Sequence, residues 1–73
     1  MIYVQIMIEL HCLSINGFCK MSGLYRDHFY RLKNRQNKPS QRTIKILAQS
    51  LQRLDGIDWL QHAAAIKQEY QNE

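Results

Sequence analysis

The amino-acid sequence predicts a compact all-α domain of five helices, and three observations carry that expectation. The stretch 15–35, INGFCKMSGLYRDHFYRLKNR, holds two short apolar patterns joined by a glycine, the form of two helices and a turn. The stretch 37–51, NKPSQRTIKILAQSL, opens on Pro39 and Ser40 and then repeats Ile44, Leu47, Ala48 and Leu51 at helical spacing. An apolar share of 45% with 3 Gly and 1 Pro in 73 residues suits close helical packing, and neither a disordered nor a fibrous chain. This length accommodates one domain, 1–73, with a modest core.

Residues 2–12 support two readings. Ile2, Val4, Ile6, Ile8 and Leu10 alternate with Tyr3, Gln5, Met7, Glu9 and His11, which is a strand period with β-branched content to match. As a helix, the same segment puts Val4, Met7 and Ile8 on one stripe, with Leu13 entering the core as the chain turns. A strand needs a partner that the rest of this chain does not offer, so a helix is the expectation and a strand paired across a dimer the alternative.

Ser14 is placed to cap the following helix by accepting from amides around Asn16 or Gly17. Gly17 is a poor helix former, about 1 kcal/mol worse than Ala in a helix interior and less so in the first turn. Phe18 and Cys19 form the buried face of this helix. Gly23 makes the turn, where the backbone angle disfavours any residue with a side chain, and Leu24, Phe29 and Leu32 resume the apolar face beyond it. The whole is a helix-turn-helix pattern over about 15–34, its second helix running from 25 to 33 or 34 and giving way to the polar run NRQNK. A fourth helix over 40–54 is opened by Pro39 and Ser40 and broken by Asp55 and Gly56. In the fifth, about 57–71, Asp58 suits the helix dipole, and Trp59, Ala63, Ile66 and Tyr70 share one stripe. That stripe has two possible uses: closing the core of this domain, or forming a seam against a second copy or another partner.

The net charge of +4 is less informative than its location. Eight of the ten cations lie between Lys20 and Lys45 with Asp27 as the one anion, so this segment carries +7 and the remainder −3. A basic centre between mildly acidic ends suits a phosphate-facing surface; a solvated basic face without function is the bland alternative. Cys12 and Cys19 make neither a disulfide framework nor a zinc-ligand spacing, so both are expected as buried, reduced thiols. The N-terminal MIYVQIMIEL lacks a cationic leader, contains Gln5 and Glu9, and is too short to span a bilayer, which argues for the cytoplasm and against a membrane partner. His11, His28 and His62 are scattered, and no glycine-rich phosphate loop or triad-like context exists. No enzyme, metal site or cofactor is therefore expected.

Residues 13–54 resemble the Cro and phage-repressor family of DNA-binding domains, also called Xre-type or lambda-repressor-like. The helix pair, basic loop, Pro-Ser cap and fourth helix follow in that family's order. The resemblance implies a helix at the N-terminus and double-stranded DNA as partner, with the second motif helix in the major groove. Where this family reads bases, the matching positions are Arg26, Asp27 and Arg31. The two arginines suit bidentate contact with guanine; Asp27 can accept from cytosine, orient one of those arginines, or complement the helix dipole. Tyr25 takes the place of a common small capping residue and is positioned for a phosphate or sugar. Tyr30 can pack its ring while its hydroxyl reaches a phosphate, and His28 is expected to be partly buried. Lys33, Arg35, Asn37 and Lys38, with Ser40 and Arg42, are expected to hold the DNA backbone. The family often carries glutamine at the first motif position, where this chain has Ile15; Asn16 or Ser14 is the substitute. The implied function is a small transcriptional repressor, acting as a symmetric homodimer on half-sites about 34 Å apart or a multiple of that. Two alternatives are an antitoxin or mobile-element accessory protein that binds a protein through its C-terminal helix, and a protein-interaction module on the same fold.

Overall fold

Among the residues that the computed structural model describes, 1–34, 36 and 38–71, the chain forms five helices and no strand. They are α1 (Ile2–Leu10), α2 (Ile15–Ser22), α3 (Arg26–Lys33), α4 (Gln41–Asp55) and α5 (Trp59–Gln71). The N-terminal segment is thus helical, with Val4 and Ile8 buried and Met7 and Leu13 packed against the core. No single helix among the described residues is long and apolar enough to cross a membrane.

Single residues set most helix ends. Ser14 accepts from the Gly17 amide at 3.0 Å, and Ser40 accepts from the Thr43 amide at 3.2 Å, each supplying a partner for an amide that has none inside its helix. A Cβ on Gly17 would stand 3.2 Å from the Ser14 hydroxyl, so the glycine leaves the cap its room. Gly23 and Gly56 end α2 and α4 in the left-handed conformation, donating to Cys19 and Gln52 carbonyls. The fifth helix starts two residues later than its expected bound. Asp58 accepts there from the Leu60 amide at 3.1 Å, and Gln52 of α4 accepts from the Trp59 amide at 2.8 Å.

The expectation that both thiols are buried holds for Cys19 and fails for Cys12, which is exposed. Cys12 has φ 56° and follows the last turn of α1, its amide donating to Glu9 and the next amide, Leu13, to Ile8. That pair of bonds is a helix-stop in which the left-handed place is usually glycine's. The conformation turns the side chain outward and leaves Leu13 to pack.

The core lies where α4 packs against α5, α2 and α1. Leu47 and Leu51 of α4 are fully buried with Phe18, Phe29, Leu32, Ile66 and Val4. Ala63 and Ile66 are buried in this same core, with Trp59 and Tyr70 packed against it, so the α5 stripe closes the domain from within. Lys45 also stands over the Trp59 ring, 5.6 Å from its centroid.

Two polar clusters fasten α1 to the C-terminal half. The Glu69 carboxylate accepts from the Met1 amino group and from the amides of Ile2 and Tyr3, so α5 caps the start of α1. Burial alone would raise this carboxyl, but those donors outweigh it and hold it below the usual range. His62, 1% exposed, has Nδ1 2.7 Å from the Tyr3 hydroxyl and Nε2 3.1 Å from Asp55. Burial and the nearby Asp55 charge push the Tyr3 phenol up, keeping its proton. The buried ring is thereby held on both sides, between the Tyr3 hydroxyl and the Asp55 carboxylate. A radius of gyration of 11.0 Å equals that of a close-packed chain of this length, about 11 Å.

Candidate nucleic-acid interface

The geometry of α3 follows from its sequence. Phe29 and Leu32 are fully buried, which roots one side of the helix and turns Arg26, Asp27, Tyr30 and Arg31 to solvent. Asp27 lies in the first turn, where a carboxylate complements the dipole, and Arg31 and Lys33 lie in the last, where cations do. Tyr25 stands at the N-cap, 84% exposed, and makes no side-chain capping bond, so this helix start lacks the partner that Ser14 and Ser40 give theirs. His28 is half-buried, as expected.

The second helix holds α3 in place. The Phe18 and Phe29 rings meet edge to face at 6.0 Å between centroids. The turn needs Gly23 for its φ of 79° and not for room, since a Cβ there would meet nothing within 4 Å. Burial pushes the Cys19 thiol up against the opposing pull of the Arg26 guanidinium, so Cys19 stays neutral and serves as a small packing group beneath the turn. Arg53 of α4 donates to the Met21 carbonyl at 3.2 Å and ties α4 to the end of α2.

Several expected site residues meet here. Arg26 Nη1 donates to Asn16 Oδ1 at 3.3 Å, across the mouth of a groove that Lys20, Gly23 and Tyr25 also line. Lys33 Nζ lies 5.5 Å from the Tyr30 ring centroid, and a second recess is lined by Tyr25, Asp27, His28 and Arg31. Lys38 and Arg42 are exposed on either side of the α4 cap. Ser14 and Ser40 already use their hydroxyls as caps. Arg35 and Asn37 lie outside the described residues. Lys20, which is absent from the expected contact residues, lines the groove beside Arg26 and Asn16, and its place in the basic run is the sequence signal for it. The arrangement offers guanidinium forks and ammonium groups on a convex helical surface, with aromatic faces between them. Compared with known protein families, curated proteins and solved structures, the chain matches none.

Proposed function

We propose that this chain is a lambda-repressor-like helix-turn-helix protein that binds double-stranded DNA in a sequence-dependent way and regulates transcription by occupying an operator. The observation that carries this reading is α3, buried through Phe29 and Leu32 and presenting Arg26, Tyr30 and Arg31 outward from the basic centre. A helix of that width fits the major groove, where arginine forks match guanine. Lys33, Lys38 and Arg42 hold phosphates on either side, with the first amides of α2 and α4 as further anion donors. Asn16 steers Arg26 as well as facing the backbone, because its amide oxygen already holds one guanidinium nitrogen.

Selection of binding sites from random duplex at fixed salt, followed by titration of variants, tests the proposal. Arg26→Ala and Arg31→Ala each relax preference at particular base pairs, by about 1–3 kcal/mol of discrimination. Lys38→Ala instead weakens all duplexes alike and flattens the salt dependence. Unchanged binding of the selected site by all three variants would remove α3 from the role given to it.

A further inference from the structure

We infer that the outward face of α1, with the adjoining edge of α5, is the seam against a second copy of this chain. Ile2, Ile6 and Leu10 follow one another at steps of four and are 55%, 51% and 70% exposed, which makes one apolar stripe along the helix. Scattered exposed aliphatics are ordinary, but three aligned on a nine-residue helix form a patch of the kind that interfaces cover. Beside the stripe runs a shallow groove lined by Ile2, Tyr3, Ile6, Ala65, Gln68 and Glu69. The small Ala65 leaves room there for a side chain arriving from outside.

Charge decides the occupant. A two-fold contact lays a patch against itself, so any net charge on it meets like charge. This face is close to neutral: Glu9 is the one acidic or basic side chain in α1, and Glu69 at the groove is already matched by the Met1 amino group. Among the described residues every helix cation stands on α2, α3 or α4 except Lys67, which lines the clefts between α5 and α4. Among the described residues DNA or an acidic surface finds no cation on this face beyond the Met1 amino group that Glu69 already matches, whereas an identical, nearly neutral face meets it with little repulsion. The need for a second copy rests on the DNA reading proposed above, because one reading helix spans too few base pairs for selectivity. The stripe Trp59, Ala63, Ile66 and Tyr70, which the sequence left open between core and seam, packs into the domain's own core.

Sedimentation of the full chain across concentrations tests the seam. The natural chain dimerises. Ile6→Glu and Ile6→Lys, with helical circular dichroism unchanged, each weaken self-association on the order of a hundredfold. Mixing the two variants restores the dimer, because opposite charges then face each other across the axis. Gln49→Glu, exposed on α4, leaves it intact. A monomer at every concentration overturns the inference, as do Ile6 variants that stay dimeric or a mixture that stays apart. The two claims fail separately. A monomer that still loses base preference with Arg31→Ala removes the seam and keeps the DNA reading; a dimer broken by Ile6→Glu, with Arg31→Ala silent, does the reverse.

Discussion

Cys12 occupies a backbone position that Gly23 and Gly56 occupy at the ends of the next helix and of α4. All three have positive φ, and Cys12 is the non-glycine among them. A side chain in the left-handed region carries steric strain of about 1–2 kcal/mol, part of which glycine's larger unfolded-state entropy offsets. Cys12→Gly is therefore expected to stabilise the domain by about 0.5–1 kcal/mol, read as a higher denaturant midpoint at unchanged slope. A lower midpoint would mean that the thiol makes a contact worth more than the strain. The same position explains a difference in access: Cys12 should react with a thiol reagent without the core opening, and Cys19 only as fast as the core opens.

At the scale of elements, α1 is held by groups that titrate. The carboxyls of Glu69 and Asp55 both lie below their ordinary values of 4.5 and 3.8 in the folded chain. Asp55 gets there because the Ile57 amide and His62, with His11 farther off, outweigh the upward push of burial. A carboxyl depressed on folding contributes stability that is complete above its ordinary value and lost as pH falls through the folded one. Stability should accordingly be flat above about pH 5 and fall in acid. Glu69→Gln should lower it near pH 6 by about 1 kcal/mol and make the acid limb shallower, since a neutral amide caps the α1 amides less strongly. An acid limb of the same steepness in the variant would place the titrating contact elsewhere. These tertiary caps also mark how far sequence could be read. Ser14, Gly23, Ser40 and Gly56 act on neighbours within four residues, so the ends they set were legible. Glu69 reaches 66 residues back to Tyr3, and His62 reaches 59, and no local pattern encodes either contact. The strand-like alternation of 2–12 has a physical source too: α1 buries Val4 and Ile8 and also displays Ile2, Ile6 and Leu10, so apolar residues recur on both sides of the helix. The outward face of α3 was legible for the opposite reason, because its buried pair, Phe29 and Leu32, is apolar and its outer residues are polar. The Asn16–Arg26 bond was not, since it joins two side chains across the turn.

For the whole molecule, the distribution of charge and the proposed seam combine in one measurable quantity. Among the described residues the cations of the basic centre lie on α2, on α3, at Lys38 and at the start of α4, while the apolar stripe belongs to α1; two copies joined through α1 would keep both basic faces free. Each phosphate neutralised by a cation releases counterions, so the logarithm of affinity falls with the logarithm of salt by about 0.9 per contact. With about three such contacts per protomer, from Lys33, Lys38 and Arg42, a single half-site should give a slope near −3, and a symmetric site filled by a dimer about −5. Titrating one chain against both duplexes at several salt concentrations checks this, and Ile6→Glu sharpens it. A chain that has lost its seam should keep the half-site slope and lose the steeper one, because its cations are untouched and only their number per binding event has fallen. Equal slopes on the two duplexes in the natural chain would mean that a single protomer makes all the phosphate contacts.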